Sequence, residues 1–128
     1  MQFPARIIYS GCAYGRALAT TQAISFFGGV DPDTGIIVER GHELVGQSVA
    51  GKVLVFPTGK GSTVGSYTLY RLKHNGLAPV AILNAQCETI TAVGCIIAEI
   101  PCLDELPLEH FRTGDLVQVE GSMVTIER

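Results

Sequence analysis

At 128 residues the chain is the size of one domain, and a chain of that length buries roughly two-thirds of its unfolded surface, so its core needs neither disulfides nor a metal. Nine Lys and Arg stand against twelve Asp and Glu, for a net charge of −3 without a basic cluster, which argues against nucleic acid and anionic membrane as partners. With 47% hydrophobic and 16% charged residues, the chain predicts either a tight core under a modest surface or an apolar surface covered by a partner.

The opening Met1-Gln-Phe-Pro-Ala-Arg6 lacks the charged start and unbroken apolar run of a signal peptide, and no stretch approaches a membrane span, so a cytoplasmic protein is expected. Arg6–Tyr9 reads as the first strand. Residues 17–19 read as a second, after a turn rich in glycine at Gly11 and Gly15, and residues 24–27 as a third. The stretch from Gly28 through Asp31-Pro32-Asp33-Thr34-Gly35 carries a tight-turn signal and leads into a strand at 36–38. Asp33-Thr34-Gly35 is read as that turn and not as a catalytic aspartate motif. Gly28 and Gly29, beside two phenylalanines, let backbone approach a ligand or a neighbouring chain closely. Residues 41–49 read as a polar loop anchored by Leu44 and Val45.

The stretch that follows organises the rest. Val53–Phe56 is an apolar, β-branched run that reads as a buried strand, and Pro57, Gly59 and Gly61 forbid its continuation. From Ser62 onward Val64, Leu69 and Leu72, with Tyr67 and Tyr70, recur at spacings near three and four until Asn75-Gly76, predicting a helix of about three turns. The loop Gly59-Lys60-Gly61-Ser62-Thr63 then lies between the carboxyl end of a strand and the amino end of a helix. Unpaired N–H groups and the helix dipole favour an anion there, and a hydroxyl so placed can become acidic. The competing reading makes Ser62 or Thr63 a plain N-cap. A P-loop does not fit, because Leu54 stands where its first glycine belongs and Lys60 precedes a glycine.

Residues 78–83 read as a strand parallel to Val53–Phe56, which makes a right-handed βαβ unit. Residues 88–93 read as a short second helix, 95–98 as a buried strand ended by Pro101, and 108–111 as a helical turn. Thr113-Gly114-Asp115 turns into a strand at 116–119, and Gly121-Ser122 links it as a hairpin to a strand at 123–126. The pattern predicts a single α/β domain over residues 1–128, layered β/β/α around the central βαβ unit. Cys12, Cys87, Cys95 and Cys102 show no Cys-x-x-Cys spacing and predict buried free thiols. His42, His74 and His110 have no companion at metal-ligand spacing and predict surface or locally hydrogen-bonded side chains, so no metal site is expected in this chain.

Four motifs in order, Phe26-Phe-Gly-Gly-Val-Asp-Pro-Asp-Thr-Gly35, Gly46-Gln-Ser-Val-Ala-Gly-Lys-Val-Leu-Val-Phe-Pro57, Gly59-Lys-Gly-Ser-Thr-Val-Gly-Ser66 and Asn75-Gly-Leu-Ala-Pro79, resemble the small, swivelling subunit of the aconitase X family. The likeness runs from about Gly11 to Pro101. It implies a swivelling β/β/α domain like the last domain of aconitase, paired with a larger subunit that holds an iron-sulfur cluster on its own cysteines. It further implies that Ser62, the serine of the Gly-[Lys/Arg]-Gly-Ser motif, is the proton acceptor, with Lys60, Gly61, Thr63, Gly28 and Gly29 placed to bind substrate. Phe27 stands where many relatives carry Trp, Thr63-Val64 where many carry Ser-Thr, and Lys60 where many carry Arg. Lys keeps the charge of Arg but not its bidentate geometry.

The activity implied is removal of water from a β-hydroxy acid, with mevalonate 5-phosphate converted to trans-anhydromevalonate 5-phosphate in the archaeal mevalonate route to isoprenoids as the leading expectation. Loss of a proton beside a carboxylate needs a base, and loss of hydroxide needs a Lewis acid. This chain carries residues for the base alone, so it is expected to be inactive without its large subunit. Two alternatives stay open. One is the small subunit of a hydroxyproline dehydratase of the same family, and the other a non-catalytic module whose glycine loop holds an anion.

Overall fold

The computed structural model describes residues 1–127. Its elements are β1 (Gln2–Pro4), β2 (Arg6–Tyr9), β3 (Cys12–Ala19), β4 (Ile24–Ser25), β5 (Val53–Phe56), β6 (Gly59–Lys60), α1 (Gly65–His74), β7 (Ala81–Asn84), α2 (Thr89–Ala98), β8 (Cys102–Asp104), a 3-10 turn (Leu108–His110), β9 (Leu116–Glu120) and β10 (Met123–Glu127). Eight strands make one sheet in the order β1-β10-β9-β3-β5-β7-β8-β2, while β4 and β6 pair separately. Ala5 alone separates β1 from β2, yet these two stand at opposite ends of that order. The sheet therefore curls until its two ends meet. β3 serves both halves: Cys12 to Arg16 pair antiparallel with β9, and Ala17 to Ala19 run parallel to β5.

Strand alternation divides the core in two. Val53, Val55, Ala81, Leu83 and Leu103 point inward, where they meet Val117, Val119, Val124 and Ile126 of the terminal hairpin. Leu54, Phe56, Ile82 and Cys102 point the other way, onto Leu69 and Leu72 of α1 and Cys95 and Ala98 of α2. Strand against strand against helix is the β/β/α layering expected. β5, β7 and β8 are mutually parallel, so α1 and α2 are the crossovers of two successive βαβ units. The helices approach closely at Gly94, where a Cβ would come within 2.5 Å of Leu69 Cδ1.

Several expectations need correction. Residues 95–98 are not a strand but the last turn of α2, which buries Thr91, Gly94, Cys95 and Ala98 at helical spacing and leaves Ile96 and Ile97 exposed. The helix stops at Glu99 in the left-handed region, φ 56°, and the strand comes only after Pro101, as β8. The third strand ends at Ser25, and Ile36 and Ile37 contribute isolated bridges to Ser48 and Val30 in place of a strand. β3 begins at Cys12, so Gly15 lies within it and not in a turn. Cys12 is exposed and Cys87 half-buried, so only Cys95 and Cys102 are the buried thiols predicted. His42 is buried, its Nδ1 accepting the Leu44 N–H at 3.1 Å, which leaves Nε2 to donate to the Ala23 carbonyl at 3.1 Å. No helix among the described residues is long and apolar enough to cross a membrane.

Candidate functional site

The chain leaves β5 through Pro57, whose carbonyl accepts the N–H groups of Ala85 and Gln86 at the end of β7, both at 3.1 Å. Thr58 follows and accepts the Ile24 N–H at 3.3 Å. β6 then runs beside β4, with Gly59 opposite Ile24 and Lys60 opposite Ser25. A loop so tied has little freedom before the helix starts.

Two glycines let it lie where it does. A Cβ on Gly59 would collide with Glu88 Oε1 and Thr91 Oγ1, and that carboxylate is committed to capping α2 through the N–H groups of Ile90 at 2.8 Å and Thr91 at 2.7 Å. Gly61 adopts φ 94°, and a Cβ there would strike Ser25 Oγ. Ser25 Oγ itself donates to the Phe27 carbonyl at 3.0 Å. The segments 25–29 and 59–65 thus pack side by side, with Phe27 N only 3.4 Å from where a Gly65 Cβ would stand.

Ser62 is exposed, and its Oγ accepts the Val64 N–H at 3.2 Å. Val64, the residue ahead of Gly65, has no side-chain cap and is already helical at φ −62° and ψ −19°. The cap-type bond comes from Ser62, as expected of a cap there, with its Oγ taking the Val64 N–H. The Ser62 carbonyl takes the Gly65 N–H at 2.9 Å and the Thr63 carbonyl that of Ser66 at 3.3 Å, while the Ser62 and Thr63 N–H groups have no hydrogen-bond partner among the described residues. The loop presents the exposed hydroxyls of Ser62 and Thr63 and two open N–H donors just ahead of a helix dipole.

Lys60 Nζ lies 2.9 Å from Glu39 Oε2. Burial pushes the Glu39 carboxyl up, but the hydrogen bond from Lys60, the Ser25 N–H at 3.4 Å and the Lys60 charge together hold it below the usual carboxylate range. Of the two glycines expected beside the substrate, Gly28 is open, at φ 81° with nothing within 4 Å of its absent Cβ. It lines a groove of about 260 Å³ with Phe27, Val38, Val64 and Tyr67. Gly29 is packed internally, where a Cβ would collide with the Ser25 carbonyl and reach within 3.0 Å of Glu39 Oε1. Glu39 and Ser25 were missed by sequence reasoning, since the pairing with Lys60 spans a stretch that reads as turn and loop and leaves no local signal.

The cysteines do not fit an iron-sulfur cluster. Cys87 and Cys102 lie Sγ to Sγ at 3.8 Å, while Cys12 is exposed on β3, and a cluster takes four cysteine thiolates converging on one point. Among the described residues no group of three or more His, Cys, Asp or Glu is arranged to hold a metal ion.

The family model described as the aconitase X swivel domain matches residues 2–127. This chain belongs to that family. Over 125 residues, 95% of its length and 87% of the relative's, it is 58% identical to the phosphomevalonate dehydratase small subunit of Methanosarcina acetivorans. It is 46% identical over 127 residues to the same subunit of Thermococcus kodakarensis, covering 99% of this chain and 96% of that one. Among solved structures, the crystal structure of Thermococcus kodakaraensis aconitase X in its holo form superimposes with a TM-score of 0.98 at 45% identity, covering 100% of this chain and 99% of that one. The solution NMR structure of a UPF0107 protein does so at 0.91 and 49% identity, with full coverage of both. As an aconitase X swivel domain, the chain places its Gly-Lys-Gly-Ser loop at the carboxyl edge of parallel strands, where open α/β sheets bind ligands.

Proposed function

We propose that this chain is the small subunit of a heteromeric hydro-lyase that converts mevalonate 5-phosphate to trans-anhydromevalonate 5-phosphate, with Ser62 as the proton acceptor. The carrying observation is the exposed Ser62 hydroxyl on a glycine loop ahead of α1, in a chain that shares 46–58% identity with relatives of that name. In the reaction the C–H bond beside the carboxylate breaks, its proton goes to Ser62 Oγ held as the alkoxide, the electron pair forms the C=C bond, and the hydroxyl on the neighbouring carbon leaves as hydroxide, which becomes water with the serine proton as the alkoxide is regenerated. The N–H groups of Ser62 and Thr63, with Lys60 and the open backbone at Gly61 and Gly28, face the anionic substrate; Gly29 supports them from behind. The iron-sulfur cluster implied by the family is assigned to the large subunit, because the cysteines here do not suit it.

Magnitudes explain why two subunits are needed. A helix terminus lowers the cost of an adjacent anion by about 0.3–1 kcal/mol, and a hydrogen bond to a charged group adds about 1.5–3 kcal/mol. In water these fall well short of ionising an alcohol near neutral pH. The remainder comes from excluding water, since every charge interaction strengthens as the local dielectric falls. Ser62 on the isolated chain is open to solvent, so it becomes a working base only when a partner closes over it.

The test is turnover of mevalonate 5-phosphate by the complex reconstituted from this chain and the large subunit. Ser62→Ala is expected to assemble and to melt within about 1 kcal/mol of the parent, because it loses one exposed hydrogen bond, yet to lose turnover by about 10²–10⁴-fold. Near-normal turnover in that variant would end the assignment of the base.

A further inference from the structure

We propose that Glu39 is a positioning residue for this reaction, acting through Lys60 to fix the loop that carries Ser62; the proposal rests on the reading of Ser62 given above. The loop from Gly59 to Thr63 is held on its inner side by the close approach of Gly59 to Glu88 and Thr91. On its outer side Lys60 Nζ is anchored by Glu39 Oε2 at 2.9 Å. The β4 ladder ties the backbone of Gly59 and Lys60 on this side, and the ion pair adds the side-chain anchor, since Ser62 contributes none beyond its own turn.

Glu39 is built as a fixed post. Its N–H donates to the Gly29 carbonyl at 3.2 Å and its carbonyl accepts the His42 N–H at 3.2 Å, while His42 is buried with both ring nitrogens engaged. Its second oxygen accepts the N–H of Ser25, the residue opposite Lys60 in the β4–β6 ladder, so one carboxylate bridges both strands of the pair. Gly29 leaves the room this requires, since a Cβ there would press within 3.0 Å of the same oxygen. An ammonium has three donors, and one bond to Glu39 aims the other two. Exposed ion pairs contribute little to stability, and Lys60 is half-exposed, so the pair governs placement more than folding.

The proposal predicts a kinetic pattern that a merely structural role would not produce. In the reconstituted complex Glu39→Gln lowers kcat at least 10-fold with KM within about threefold and a melting temperature close to the parent, and Glu39→Asp recovers part of the loss. Glu39→Gln combined with Lys60→Met is no slower than Lys60→Met alone, because both remove the same link. A double variant slower by the product of the two single effects would overturn the proposal. A second readout needs no turnover: in the amide spectrum of the full chain, Glu39→Gln shifts the signals of Lys60, Gly61 and Ser62 and leaves those of α1 beyond Leu69 in place. Unmoved signals at Gly61 and Ser62 would overturn the positioning role, whereas normal turnover in Ser62→Ala would overturn only the assignment of the base.

Discussion

At the scale of single residues, the site is defined as much by absent side chains as by present ones. Gly59 has no Cβ because the cap of α2 occupies that space, so one carboxylate, Glu88, both starts a helix and backs the Ser62 loop. Gly59→Ala forces one of them to move. Overpacking of this kind costs about 1–3 kcal/mol, and the displaced loop should lower turnover of the complex beyond what the melting temperature accounts for; paired melting and kinetic measurements check this. The placement of the Ser62 loop between a strand and a helix was legible in the sequence because its signal is local: glycines, a lysine and a hydroxyl between an apolar run and an amphipathic one. Glu39 was not, because its meaning comes from a lysine 21 positions on, and the turns that bring the two together are themselves tertiary structure.

At the scale of elements, legibility followed the strength of the period. The βαβ unit from β5 to β7 was readable because a four-residue buried strand, a glycine break and an amphipathic helix each left a distinct pattern. The second unit was misread at its end, since Cys95-Ile-Ile-Ala98 is apolar and β-branched and a short apolar run does not declare its period. Its destination, β8, is three residues long and carries a buried charged side chain, which hides it further. That side chain, Asp104, is fully buried and is held by Arg6 of β2 through bonds of 2.8 and 2.6 Å and by the Cys87 N–H at 2.8 Å. Burial pushes the Asp104 carboxyl up, but Arg6 and Cys87 outweigh it and bring it below its ordinary 3.8. A lowered folded value stabilises above the unfolded value, and that contribution fades as pH falls through the folded one. Arg6→Met leaves the burial of the Asp104 carboxylate largely unopposed and should lower stability near pH 7. The deficit should shrink as the pH falls through and below the ordinary carboxylate range, where the carboxyl protonates; denaturant melts of both proteins across that range check it.

At the scale of the whole molecule, the exposed apolar side chains are not scattered evenly. Phe27, Val38, Val64 and Tyr67, between 44% and 66% exposed, gather around one groove beside the Ser62 loop. A subunit that closes over Ser62 would cover that groove as well, so assembly with the large subunit should slow amide exchange in residues 26–29 and 62–67. The chain alone should be colourless, free of iron and without dehydratase activity, and iron analysis with a turnover assay on the separate subunits checks this. The curl of the sheet escaped sequence reading because nothing in β1 or β2 announces that they lie at opposite ends of one strand order. That closure sets the timing of folding. β1 pairs with β10, Gln2 against Thr125 and Phe3 against Val124, so during synthesis β1 waits for a partner strand more than a hundred residues further along the chain. Pairings so distant along the chain form slowly, and until β10 arrives the nascent polypeptide carries open strand edges of the kind that recruit chaperones or stick to one another.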